Sequence, residues 1–190
     1  MLDIFPDSRE YIQVQLSRWV KTGKLNQIRR GWYLISSPYC KKEVPSEVIA
    51  NIVVSPSYLS LEWALAFYGM IPEHVPNPTS ATTARAKDFQ AVGHFFLFKH
   101  IKPCYFCGYV KTEYKDNSIL VAFPEKALWD KIYFFLRRSK FSMEWLEELR
   151  LQNLENFNFH RWRTYVHLSR YSALNKALQA VEKYIKEQIS

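Results

Sequence analysis

The chain has 190 residues, of which 48% are hydrophobic and 16% aromatic, with only 5 glycines; this excludes a disordered chain and fits one medium domain with a small appendage. No apolar run approaches the length of a membrane span, no signal-peptide pattern opens the chain, and three cysteines suit a reduced, cytoplasmic setting. The net charge of +8 is uneven: residues 1–42 carry Arg9, Arg18, Lys21, Lys24, Arg29, Arg30, Lys41 and Lys42 against Asp3, Asp7 and Glu10, a local balance of +5. A basic end of this kind suits a polyanionic partner, nucleic acid first, and its plainer reading is a solvated face that aids solubility.

From Ser8 to Thr22 the spacing of Ile12, Leu16, Trp19 and Val20 predicts a helix with one apolar stripe. Val14, Ser17, Arg18 and Lys21 fall on its far side and Gln13 on the rim. Gly23 ends the helix. Leu25–Arg29 and Trp32–Ile35 then flank an Arg30-Gly31 turn, which predicts a basic hairpin. Helix plus hairpin has the look of a recognition helix and wing, with Gln13, Ser17, Arg18, Lys21, Lys24, Arg29 and Arg30 as candidate DNA-binding residues. A complete winged helix-turn-helix has two more helices before the recognition helix, and only Met1–Asp7 precede it here. The expectation is therefore a truncated winged helix-turn-helix-like module over residues 1–42.

Residues 43–190 are expected to form an α+β domain, after a linker with Pro38 and Pro45. Glu47–Val53 is predicted as a short helix. Ser57–Met70 is predicted as a second, with Ser57 or Ser60 as its cap, Gly69 as its stop and Pro72 forbidding its return. Strands are predicted at Thr79–Thr83, His94–Ile101, Cys104–Lys111 and Ser118–Phe123, the middle two as a hairpin turned near Lys102-Pro103. A helix from Pro124 to Arg138 follows, with Pro124 at its first position. Ser142, Asn158 and Ser172 each open a further helix, reaching about Leu151, about Arg170 and the C-terminal region. The expected fold class is α+β: a small antiparallel or mixed sheet covered by helices, with a helical C-terminus.

Four pieces occur in order: Pro56-Ser-Tyr-Leu-Ser-Leu-Glu-Trp-Ala-Leu-Ala-Phe-Tyr-Gly-Met-Ile-Pro-Glu73, Thr79-Ser-Ala-Thr-Thr-Ala-Arg85, Gly93 with Phe95, and Ala122-Phe-Pro-Glu-Lys-Ala-Leu-Trp-Asp130. Their order and spacing resemble the AbiEi-like antitoxins of bacterial type IV toxin–antitoxin systems. The resemblance covers roughly residues 45 to 135, and the rest more loosely. It implies an N-terminal module that represses its operon by binding promoter repeats. It also implies a C-terminal domain that counteracts a nucleotidyltransferase toxin encoded next door, without a stable toxin complex. Ser60, Glu62, Thr82, Thr83 and Arg85 are polar positions inside the blocks and are candidates for an antitoxin face; they could equally cap the helix and edge the strand.

Two sets of residues invite other chemistry. His94, His100, Cys104 and Cys107 are four zinc-capable side chains within fourteen residues. If their spans are strand, Cys104 and Cys107 point to opposite faces, and they are expected to be small buried cysteines rather than ligands. Glu125 and Lys126, with Asp130 nearby, suggest a magnesium nuclease. Adjacent helical residues diverge by about 100°, and a first-turn glutamate is favoured by the helix dipole alone. No nucleophile elbow, phosphate-cradling loop or His-Glu-x-x-His stands in the chain, so no catalytic residue, metal or cofactor is expected. The remaining basic residues, Arg85, Lys87, Arg137, Arg138, Lys140, Arg161 and Arg163, read singly as solvated or dipole-matched charges, and jointly as a surface if they converge. The expected function is that of an antitoxin. The alternatives are a DNA-binding regulator without a toxin partner and, further off, a degenerate nuclease.

Overall fold

The computed structural model describes residues 8–40, 42–85 and 87–189. The Met1–Asp7 segment and Lys41, which belong to the expected basic module, lie outside them. The chain divides into two compact units, one running up to Val44 and including Gln90–His94, the other holding Pro45–Phe89 and the residues from Phe95 onward.

In the first unit helix α1 spans Arg9–Lys21, and the Ser8 hydroxyl caps it by accepting from the Tyr11 N–H. Gly23, at φ +72°, takes the left-handed conformation after the C-cap. Strands β1 (Leu25–Arg29) and β2 (Trp32–Ile35) then pair antiparallel, and the register slips between Gln27 and Arg29. Ile28 is buried in this hairpin. No residue of α1 is fully buried, so its stripe of Ile12, Leu16 and Val20 is only half covered.

The second unit is mixed α+β. Its strands are β3 (Ser57–Leu59), β4 (Thr79–Thr82), β6 (His94–His100), β7 (Tyr109–Tyr114) and β8 (Asn117–Ala122), in the sheet order β6-β4-β3-β8-β7, while β5 (Phe89–Ala91) falls mostly in the Gln90–His94 segment of the first unit. β3 runs antiparallel to β4 and parallel to β8, β4 runs parallel to β6, and β7 and β8 form an antiparallel hairpin. The helices are α2 (Ser46–Val53), α3 (Leu61–Phe67), α4 (Pro124–Leu136), α5 (Met143–Glu148), α6 (Phe159–Leu168) and α7 (Ser172–Ile189). Helix α4 is the hub, packed against α3, α6 and α7. The stripe of Leu174, Leu178, Val181 and Ile185 on α7 is buried; each such side chain contributes about 1.5–3 kcal/mol by leaving water. Among the described residues no helix is long and apolar enough to cross a membrane.

Three expectations are corrected. Ser57–Leu59 is not the first turn of a helix but an inner strand, paired on both sides and wholly buried. Three residues cannot distinguish a period of 3.6 from one of 2, and the helix that follows supplied the periodicity. Cys104–Lys111 is not one strand, because Pro103–Tyr105 forms a 3₁₀ turn and the strand starts at Tyr109. The expected β6–β7 hairpin is absent. β6 lies beside β4, and β7 turns instead into β8 through Lys115 and Asp116, both at positive φ. Helix α5 also stops short, at Glu148.

Gly108 fixes the entry to β7. Its φ is +73°, and an added Cβ would lie 2.6 Å from the Tyr165 hydroxyl oxygen. A left-handed alanine costs about 1–2 kcal/mol, and forced overpacking about 1–3 kcal/mol more. Gly108→Ala is therefore expected to lower the urea midpoint measurably; a loss of only the left-handed cost would mean that Tyr165 swings aside freely, and an unchanged midpoint would contradict both costs.

Candidate functional site

The first unit brings part of the predicted basic set together. Gln13, Ser17 and Lys21 of α1 line one open groove with Arg30 of the hairpin turn. Arg9, Gln27 and Tyr33 complete its walls, Ile12, Leu16 and Val20 contribute its apolar side, and its volume is about 720 Å³. Arg18, Lys24 and Arg29 are exposed but do not line it. Lys24 instead carries its ammonium 6.0 Å from the Tyr39 ring centroid, and its carbonyl accepts from the Ser36 N–H. The groove thus has three cations, two carboxamides and two hydroxyls over an apolar side. Such donors suit phosphates and base edges. Arg9 and Gln27 were missed in the sequence; Arg9 is the only basic residue in the first turn of α1, and its position one turn before Gln13 was the available signal.

In the second unit the family-like blocks close on one another around Asp130. The Asp130 carboxylate accepts from Tyr58 Oη at 3.0 Å and from Ser60 Oγ at 2.7 Å, and it pairs with Lys126 one helical turn away. Asp130 and Ser60 are fully buried, and Lys126 is 1% exposed. The Lys126 ammonium also lies 4.4 Å from the Trp129 ring centroid and 5.7 Å from that of Tyr58. Burial pushes the Asp130 carboxyl upward, against the opposing pull of Lys126 and the hydrogen bonds. The Tyr58 hydroxyl is pushed well above its ordinary range by burial first and by the Asp130 charge second.

Ser60 occupies the N-cap position of α3, but its side chain does not cap. Thr79 takes that role from β4: its hydroxyl accepts from the Trp63 N–H at 3.2 Å and donates to the Ser60 carbonyl at 2.6 Å. Gly69 closes the same helix at φ +67°, with its N–H on the Ala66 carbonyl and the Met70 N–H on the Leu65 carbonyl.

The five residues proposed for an antitoxin face are therefore spread. Ser60 is committed to Asp130. Thr82 is fully buried, donating to the Pro56 carbonyl and accepting from the Ala84 N–H. Glu62 is half-exposed and paired with Lys131. Thr83 is half-buried and Arg85 exposed. Only Glu62, Thr83 and Arg85 present surface to a partner.

Glu125 and Lys126 turn to different neighbours. Glu125 is 1% exposed and accepts from the Asn158 N–H at 2.8 Å and from Arg161 at 3.1 Å. That guanidinium stacks 3.9 Å from the Phe123 ring centroid. Arg163 pairs with Glu182. Glu125 thus ties α4 to the start of α6, more than the dipole reading foresaw.

The cysteines also need correction. Cys104 is exposed on the 3₁₀ turn and Cys107 is half-buried, so neither is a core residue of a strand, and strand parity does not govern them. Burial still raises the Cys107 thiol. Among the described residues no group of three or more His, Cys, Asp or Glu side chains is arranged to hold a metal ion. Elemental analysis of the purified chain is expected to find no stoichiometric zinc; about one zinc per chain would overturn this.

Comparison with protein-family models finds no match to this chain, and comparison with curated protein sequences finds none either.

Proposed function

We propose that the chain is a DNA-binding antitoxin of the kind its sequence blocks resemble. In this reading the first unit represses the chain's own promoter and the second counteracts a nucleotidyltransferase toxin encoded beside it. The observation that carries the DNA-binding arm is the groove lined by Arg9, Gln13, Ser17, Lys21, Gln27 and Arg30. Its cations neutralise phosphates, which gives affinity in any sequence. Its carboxamides and hydroxyls can select base edges. The helix and hairpin act as the recognition helix and wing of a winged-helix-like module, with Arg18, Lys24 and Arg29 contacting the backbone on either side.

The antitoxin arm rests on the resemblance. It is supported by the way the blocks interlock: Tyr58 and Ser60 on Asp130, Thr79 on the start of α3, Glu62 on Lys131. A sequence pattern whose members bond to one another across about seventy residues has a physical reason to persist as a unit. The parts left facing solvent, Glu62, Thr83 and Arg85, form the antitoxin face in this reading. A regulator without a toxin partner would use the same groove, and only a growth assay with the toxin separates the two.

The promoter arm is tested with a reporter. Full-length chain supplied in trans is expected to lower expression from the promoter preceding its own gene, and Arg29→Ala/Arg30→Ala to restore it. Equal expression with and without the chain would reject promoter repression.

A further inference from the structure

In the second unit several cations are matched: Lys126 pairs with Asp130, Lys131 with Glu62, Arg150 with Glu73, Arg161 with Glu125, Lys183 with Glu187, and Arg163 and Lys186 with Glu182. In one region cations without a carboxylate partner lie beside aromatic rings. At the C-terminal end of β6 the Lys102 ammonium donates to the Tyr171 hydroxyl and lies 4.7 Å from that ring's centroid. At the C-terminal end of α4 Arg137 donates to the His100 carbonyl at 3.3 Å, and its guanidinium lies 5.9 Å from the Tyr133 ring centroid and 6.0 Å from that of Phe134. The Arg137 bond to the His100 carbonyl brings the end of α4 to the end of β6, two residues before Lys102. Among the described residues neither Lys102 nor Arg137 forms an ion pair, nor does the exposed Arg138 beside Arg137.

Cations that carry no carboxylate keep their full charge for an outside anion. Their tyrosine and backbone-carbonyl partners hold them in place without neutralising them. Tyr171 is 46% exposed, so solvent reaches its ring beside the Lys102 ammonium. Cations spaced along a surface with an open aromatic ring suit a phosphodiester strand whose bases are free to stack, because base faces inside a duplex are covered by their neighbours.

From this geometry we infer that Lys102, Arg137, Arg138 and Tyr171 form a single-stranded nucleic-acid binding surface on the second unit, separate from the groove of the first. The cations hold successive phosphates and Tyr171 stacks on a base. RNA and single-stranded DNA share this chemistry, and the test distinguishes them.

The test uses the full chain carrying Arg29→Ala/Arg30→Ala, so that the first unit's contribution is reduced. Binding of fluorescent twenty-nucleotide poly(U), oligo(dT) and a duplex of equal length is measured across salt by anisotropy. Binding of either single strand in preference to the duplex is expected, and the tighter of the two identifies the source. Adding Lys102→Gln/Arg137→Gln is expected to reduce the slope of log K against log salt by about 1.4, two contacts at about 0.7 each. Adding Tyr171→Ala is expected to weaken binding at least about fivefold. The charge-matched control Lys111→Gln/Lys176→Gln, at exposed positions elsewhere, is expected to leave the slope unchanged. Circular dichroism checks that each variant is folded. No single-strand binding at low salt, preference for the duplex, an unchanged slope in Lys102→Gln/Arg137→Gln, or an equal loss in the control pair would overturn the proposal.

Discussion

Asp130→Ala is expected to cost about 3–5 kcal/mol, the range for removing one partner of a buried ion pair. The loss has three parts. The Lys126 ammonium is left buried without its counter-charge. The Tyr58 and Ser60 hydroxyls lose their acceptor. A void opens where α4 faces β3. Against the total stability of an ordinary domain, about 5–15 kcal/mol, this can unfold the second unit at modest denaturant. The double variant Lys126→Met/Asp130→Leu separates the causes. It removes both charges and keeps volume, so its cost is expected to fall well below the sum of the single changes. Urea denaturation followed by tryptophan fluorescence measures both. A cost below about 1 kcal/mol for Asp130→Ala would mean that water reaches the site and that the blocks do not depend on this contact.

The second large effect concerns duplex DNA. If about four phosphates are neutralised by the first unit, log K is expected to fall with log salt at a slope near −3.6. Arg29→Ala/Arg30→Ala removes two of those contacts and is expected to bring the slope to about −1.8. Both side chains are exposed and the substitutions bury nothing, so the unit is expected to stay folded. Lys24, which lies against Tyr39, is expected to contribute less than Arg30 at the groove. A flat salt response, or equal slopes for wild type and variant, would defeat the DNA reading.

Local signals carried much of the fold into the sequence. The caps at Ser142 and Asn158 are made by their own side chains within three residues, so local sequence identified them. The basic hairpin was legible because Arg30-Gly31 marks its turn. What failed was nonlocal. Ser57–Leu59 is a strand only because β4 and β8 flank it. The β7–β8 turn uses Lys115-Asp116, which lacks the glycine that marks most such turns. The candidate sites follow the same division. Gln13, Ser17 and Lys21 share a groove because helical spacing put them there. The inward commitment of Ser60 and Thr82 was not visible, because their partners, Asp130 and the Pro56 carbonyl, are set by tertiary closure. One signal was overlooked: Lys126 and Asp130 stand one turn apart among Ala127, Leu128 and Ile132, an apolar setting in which charges survive only as partners.

Growth rescue is the decisive test of the proposal that this chain neutralises a nucleotidyltransferase toxin. The toxin encoded beside the chain is induced in cells that carry the full-length protein, its Arg29→Ala/Arg30→Ala variant, residues 45–190 or an empty vector. Growth is expected to return with all three proteins, since the proposal places protection in the second unit and makes it independent of DNA binding. Arg85→Ala is then expected to weaken protection if that side chain belongs to the face. Growth arrest that persists in the presence of soluble, folded full-length chain would contradict the antitoxin assignment.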